Sequence, residues 1–339
     1  MNKIFICLVA LVLFSSCNEE ESPSLSSGNV WVVNEGNFGS ANATIGVYNT
    51  NDSSYNSTAF RGANGYFIGD VLQSVKLENE TAYGILNGSN TIEAFDTKTF
   101  ESIETLENPS LDKPRYMSAT SQGRAFVTVW GPYNTDFSLS NSKVLVVDLN
   151  NMEVVDSIST APGIEQIELI DNTLLITRNF FGSYRHLTMI NINDFSEVTD
   201  MELPDGPDEL FIDSQGAAWV VCTSGKLVKI DIEGQKIAQT IDLGAPVLGD
   251  VALFDGELYF LQGDKVNSIK LTSEEVTNRV SGIAIDLPYA LGVNPFNGDI
   301  YLGDGVNFGS EGKVLHYNAA GDLVNTFQVG IFPSQFIFN

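Results

Sequence analysis

Histidine, cysteine and basic side chains are all scarce in this chain of 339 residues. It has two histidines and three cysteines, and its 17 Lys and Arg face 43 Asp and Glu, for a net charge of −26. The two histidines, His186 and His316, have no cysteine or carboxylate at the spacing that a zinc site uses. No serine occupies a G-x-S-x-G elbow, and no glycine-rich stretch leads from a strand into a helix. Acyl transfer by an activated serine and phosphate cradling by a loop therefore lose their usual sequence support. The negative charge repels phosphate backbones and anionic lipid surfaces, which argues against nucleic acid as the main partner. No window carries the apolar period of an amphipathic helix, and none has the ~18 apolar residues of a membrane span.

The longest apolar run is "IFICLVALVLF", Ile4 to Phe14, behind Lys3. A basic start, a short apolar stretch and small residues before Cys17 read as a lipoprotein signal peptide, residues 1–16. The "LFSSC" segment resembles a bacterial lipobox, which implies that Cys17 carries lipid and that Cys7 is removed. Residues 17–29 then read as a lipidated flexible tether with an acidic start. Cys222 is left alone inside "AAWVVC", where a small buried hydrophobe is expected and no disulfide is available.

What the chain has in plenty is short β-branched runs separated by Gly, Asn and Asp. First-strand segments begin at Asp70, Arg115, Gly163, Gly206, Leu248 and Leu287, at spacings of 45, 48, 43, 42 and 39 residues. Each is followed by a second run ("AFVTVW", "AWVVC"), a third ("KVLVVD", "KLVKID") and a fourth ("EVVDSI", "KIAQTIDL"). Four short strands every forty-odd residues predict a β-propeller. The N-terminal runs "VWVVNEG", "ATIGVYN" and "SSYNSTAF" supply second, third and fourth strands without a first. The C-terminal "IFPSQFIFN" has the form of a first strand. The expectation is one all-β domain over residues 30–339. It is a seven-bladed propeller with four antiparallel strands per blade, closed by N- and C-terminal strands sharing one blade, which removes exposed sheet edges.

A phrase recurs in this ring: "NFGS" at 37–40 and 307–310, and "NFFGS" at 179–183. Strand direction alternates within a blade, so second-to-third loops and blade crossings share one face, and the remaining turns share the other. The latter are plain hairpin turns such as "DN", "DG" and "EG". The former are long and aromatic, and long loops on one end of a rigid ring are where binding residues are expected. The candidates on loops are Phe38, Trp130, Tyr133, Phe180, Phe181, Tyr184 and Phe308. Those on crossings are Tyr66, Arg115, Tyr116, Glu165, Asp208 and Tyr289. The acids of this face, Glu35, Glu165, Asp208, Glu209 and Asp250, are oxygen donors that suit Ca²⁺ or the amides and hydroxyls of a ligand. No catalytic residue is indicated.

The stretch "VWVVNEGNFGSANATIGVYN", the seven-fold repeat, the leader and the acidic residues after Cys17 resemble the YncE-like surface propellers of Bacteroidetes. Within these they resemble the BtuG-type cobalamin-binding lipoproteins. The resemblance covers nearly the whole mature chain. It implies a lipid-anchored propeller on the cell surface of the outer membrane that binds cobalamin or a related corrinoid without turnover. It further implies delivery of that vitamin to a TonB-dependent outer-membrane transporter of the BtuB type, on which the propeller sits as a lid. A corrin has broad faces ringed by amides, which suits aromatics beside Asn37, Asn134, Asn179 and Asn307. A sugar suits the same chemistry, so a glycan-binding lipoprotein stays open, as do a Ca²⁺-dependent lactonase-type enzyme and an assembly scaffold.

Overall fold

The computed structural model describes residues 28–338. The expectations for Cys7, Cys17 and the leader lie outside the described residues. Among the described residues the strands form seven four-stranded antiparallel sheets, and six of them use four strands consecutive in the chain. The seventh pairs the C-terminal strand Pro333–Phe338 with Asn29–Asn34, followed by Thr44–Asn49 and Ser54–Asn56. The ring therefore closes as the repeat predicts, with Val30 opposite Phe338 and Trp31 opposite Ile337. We number the blades from this shared one.

Each pair of neighbouring blades encloses its own apolar core. Ile85 and Ile92 of blade two meet Val127 and Leu145 of blade three. Leu175 and Leu187 of blade four meet Val220 and Val228 of blade five. Val30 and Tyr48 of blade one meet Tyr301 and Val314 of blade seven. Middle strands are thus covered on both faces, which is why Ala218–Cys222 is buried at every position and reads as one apolar run. Cys222 is one of these core residues, and burial pushes its thiol up to about 12, so it is no nucleophile. Outermost strands such as Asp194–Glu202 alternate instead between solvent and the sheet face. On the plain face, Asp255 and Gly256 both have positive φ, as a two-residue type I′ hairpin requires.

One expectation changes in detail. The fourth strand of blade one is only Ser54–Asn56, and a short helix, Ala59–Asn64, takes the place of its continuation. Phe60, 1% exposed, drives this by inserting beside Trp31 and Phe95 in the core between blades one and two. The helix ends at Gly65, whose positive φ suits the C-terminal cap. No helix among the described residues is long and apolar enough to cross a membrane.

Candidate ligand-binding face

The innermost strands of all seven blades line a central cavity of ≈ 580 Å³. Every one of them breaks register near its start on the loop face: examples are Pro207/Leu210, Leu248/Val251 and Pro114/Met117. A bulge there interrupts the in-and-out alternation of a strand and re-aims its side chains. Consecutive residues consequently reach the channel mouth together, among them Gln73 with Ser74, Asp208 with Glu209, and Ser334 with Gln335. Tyr116, Gln166, Asp250, Tyr289 and Glu35 complete the polar ring.

The ring is knitted across blades. Tyr289 donates its hydroxyl proton to Glu35 Oε2 at 2.7 Å. Gln335 both donates to the Val75 carbonyl at 3.0 Å and accepts from its amide at 2.9 Å. Gln166 accepts from the Leu210 amide at 3.0 Å and donates to Glu209. Behind the mouth, the Arg115 Nε donates to Glu165 Oε2 at 2.8 Å, and Arg115 also donates to Gln73. The other oxygen of Glu165 accepts from the Trp130 indole at 3.0 Å, and the guanidinium lies 3.9 Å above that indole ring. Both oxygens of a carboxylate that is 7% exposed are thereby satisfied.

Four carboxyls at the mouth lack such cationic pairing. Burial pushes Glu35 up to about 7, against the hydrogen bond from Tyr289. Burial and the neighbouring Asp208 raise Glu209 to about 8. Asp208 is raised by burial too, and Asp250 is raised well above the usual carboxylate range by burial and by Glu209, Asp208 and Glu35 around it. The mouth is therefore rich in acceptors and, near neutral pH, holds protons that ordinary carboxyls would have lost. Among the described residues no group of three or more His, Cys, Asp or Glu is placed to hold a metal ion. Of the acids expected to suit Ca²⁺, Glu35, Asp208, Glu209 and Asp250 converge as channel lining, whereas Glu165 is held behind the mouth by Arg115 and Trp130. Neither histidine lines the channel; His316 is buried, 2.9 Å from Asp299 and stacked on Tyr301.

Aromatics crown the mouth. Trp130, Leu139 and Phe180 form a small satellite core joining the long loops of blades three and four. Phe180 and Phe181 are consecutive residues with positive φ, a conformation that costs a non-glycine residue of order 1 kcal/mol or more. The result is that Phe180 turns inward, 5.0 Å from the Trp130 ring, while Phe181 stands 84% exposed. Phe137, at 76%, extends the same patch through Tyr133. On the other side, Phe308 is 85% exposed and rests on Phe332, which stacks on Tyr289 at the mouth. Phe38, 80% exposed, tips a loop that Asp70 fastens by accepting from the Gly39 amide at 2.8 Å. Blades one and seven are neighbours in the ring and blade four stands three blades from each, so the three related phrases face each other across the polar mouth.

The residues expected at a site thus fall into three groups. Tyr116, Asp208 and Tyr289 line the channel. Phe38, Phe181 and Phe308 are solvent-exposed tips, and Tyr133 packs between Trp130 and Phe137. Arg115, Glu165, Trp130 and Phe180 are the buried or partly buried support, and Tyr184 packs at its edge. Tyr66 is not brought to the mouth: it packs edge-on against Phe60, on the flank between blades one and two. Gln73, Ser74 and Ser334 line the channel without having been singled out. Their signal is positional, since they occupy the bulge position that Arg115 and Tyr116 hold in blade three.

Trp130, expected as a ligand contact, is a pillar instead. Trp130→Ala should cost about 3–5 kcal/mol by loss of a buried aromatic, and it strips Glu165 of a donor. A lowered melting temperature in thermal denaturation is the expected result, and an unchanged one would show that the loops stand without it.

A family model described as a domain of unknown function, DUF5074, matches residues 28–180. None of the curated proteins matches the chain. Among solved structures, a quinonprotein alcohol dehydrogenase-like protein from Bacteroides thetaiotaomicron is similar with a TM-score of 0.69 and 14% identity, over 93% of this chain and 78% of that one. A putative 6-phosphogluconolactonase from Bacteroides fragilis is similar with a TM-score of 0.64 and 13% identity, over 93% of this chain and 99% of that one. At such identities the likeness is one of fold. Together with the seven closed sheets it makes this chain a seven-bladed β-propeller whose loop-bearing face carries aromatic tips around an acceptor-rich channel mouth.

Proposed function

We propose that this face captures a corrinoid, cobalamin or a close relative, at the cell surface, and passes it unchanged to a TonB-dependent outer-membrane transporter. The observation that carries the reading is the pairing of exposed aromatic tips on opposite sides of the ring with a mouth of amide and carboxyl acceptors between them. A large flat ring with apolar faces and primary amides at its rim asks for both. Its faces rest on Phe38 and Phe308 on one side and on Phe181 and Phe137 on the other. Its amides donate to groups such as Glu35, Gln73 and Asp250. In this reading the face binds its ligand without turnover. Lipid attachment at Cys17 keeps the propeller beside its transporter in this reading.

The same acceptors and aromatic tips suit a glycan, which is the second reading. One experiment separates them. The mature protein is mixed with cobalamin and passed through a gel-filtration column, with affinities then measured by calorimetry. Co-migration of the red ligand is expected. Phe181→Ala and Phe308→Ala should each weaken binding at least roughly tenfold, the loss expected when an aromatic contact worth about 1.4 kcal/mol or more is truncated. Their melting temperatures should not move, because both side chains stand in solvent. Phe296→Ala, in a turn of the plain face, should leave binding alone. No cobalamin binding by the wild type, with binding on a glycan array, would transfer the function to the second reading.

A further inference from the structure

The loop-bearing rim is uneven in height. Second and third strands are joined through residues 35–43 in blade one, 130–141 in blade three, 179–185 in blade four and 305–312 in blade seven. In blades two, five and six the same connection shrinks to 87–90, 223–225 and 263–264. Blade seven adjoins blade one and blade three adjoins blade four, so the long loops make two walls. One wall is braced by the core of Trp130, Leu139 and Phe180. The other is tied down by the Glu35 and Gly36 amides, which donate to the Phe332 and Ile331 carbonyls at 3.0 and 3.1 Å. The walls part by one blade at blade two and by two at blades five and six. A ligand seated between them therefore has its broader opening over blades five and six, where residues 223–225, 243–247 and 263–264 include no aromatic.

Charge changes sign along the radius of that opening. On the inside, Asp208 and Glu209 of blade five and Asp250 of blade six line the mouth. Further out, the third strands of blades five, six and seven begin with Lys226, Lys265 and Lys313. A third strand starts at the loop face, because the long loops lead into it. Two strand spacings, about 10 Å, separate it from the innermost strand. Lys313 is held by the buried Asp304 at 3.0 Å. Lys226 meets Asp242 at 2.7 Å in an exposed pair, of the kind that contributes little and exchanges readily. Lys265 is exposed and, among the described residues, has no ion-pair partner. The other cations near this face are committed: Arg115 to Glu165 and Gln73, Lys113 to Asp112, and Arg185 to Glu202 and Asp205. Lys76 lines the channel further down the innermost strand of blade two, past the acids.

We propose that the low rim of blades five and six is the subsite for the ligand's anionic arm: a corrinoid held between the walls lays its phosphodiester-linked nucleotide there, with the phosphate beside Lys265 and Lys226. This rests on the corrinoid reading and narrows it, to complete corrinoids in preference to those without a nucleotide. The inner carboxyls accept from the amides at the ring's edge and repel a phosphate. The walls are tall and aromatic and offer it no uncommitted cation. Over blades five and six the arm finds room, and the charge it needs lies one blade half-width outside the acids.

The test titrates the purified protein with cyanocobalamin and with dicyanocobinamide, a corrinoid without the phosphodiester and its nucleotide. Wild type is expected to hold cobalamin roughly tenfold more tightly, the scale of a charge-assisted contact. Lys265→Glu should remove that preference by weakening cobalamin and leaving cobinamide within about twofold. Its melting temperature should not move, because Lys265 is exposed. Lys143→Glu makes the same charge change at an exposed site of blade three, behind a wall, and should leave both affinities alone. Equal affinity of wild type for the two ligands overturns the subsite. So does Lys265→Glu weakening both ligands alike, or Lys143→Glu matching its effect. Binding of neither ligand by wild type overturns the corrinoid reading itself, and the subsite with it.

Discussion

Deleting residues 331–339 should leave a protein that aggregates or melts tens of degrees lower. These residues supply the innermost strand of blade one, and every pairing that closes the ring runs through it. Its loss exposes the edge of Asn29–Asn34 and leaves Pro288–Val293 and Leu72–Glu78 without their shared neighbour. It also withdraws Phe336, Ile337 and Phe338 from the cores around Tyr301 and Trp31. Each such side chain contributes about 1.5–3 kcal/mol when fully buried, and a whole domain has only about 5–15 kcal/mol of net stability. The newly unpaired edge of Asn29–Asn34 is also a template for association. Differential scanning calorimetry with light scattering would decide the matter. A truncated chain that unfolds at the wild-type temperature would mean that the other six blades hold without closure.

Glu209→Gln should stabilise the protein at alkaline pH and leave it unchanged near pH 5. Burial and Asp208 hold the Glu209 carboxyl at about 8, and burial holds Glu35 at about 7, whereas both ionise near 4.5 when unfolded. Between pH 4.5 and 8 the folded state therefore binds more protons at these positions than the unfolded state does. Stability rises with pH where the unfolded state binds more protons, so here it falls as pH rises through that window. The substituted amide keeps an acceptor for Gln166 but cannot ionise. Each pKa unit corresponds to about 1.4 kcal/mol, so the gain reaches a few kcal/mol by pH 8.5, or several degrees in melting temperature. Thermal melts of both proteins at pH 5 and pH 8.5 would test this. A difference that is the same at both pH values would show that Glu209 does not titrate in the window.

Much of the architecture is legible in the chain because its signals are local. Spacing of the apolar runs, turn residues such as Asp255-Gly256, and the split first and last strands are properties of a few neighbouring residues each, and they specify seven blades and the shared one. The same locality explains the one departure. "SSYNSTAF" reads as a strand by its composition, but Phe60 has a pocket beside Trp31 and Phe95 that only the packed blades create, and a helix is what delivers it there. The face that carries the long loops is also legible, since alternation of strand direction needs no coordinates.

The roles within that face are not. Nothing in "WGPYNTDF" or "NFFGS" says that Trp130 and Phe180 turn inward while Phe181 and Phe137 stay in solvent; that division comes from two loops of different blades meeting over one small core. Nor does the chain reveal that Glu35, Asp208, Glu209 and Asp250, which arise on three different blades, share one mouth, where burial raises all four pKa values and neighbouring carboxyls raise those of Glu209 and Asp250 further. By itself the sequence determined the number of blades, their closure and the face that carries the loops, because strand period and turn chemistry act over a few residues. The tertiary structure alone decided which aromatic is pillar and which is tip, and which acids keep their protons, because burial and Coulomb interaction depend on distances set by the closed ring.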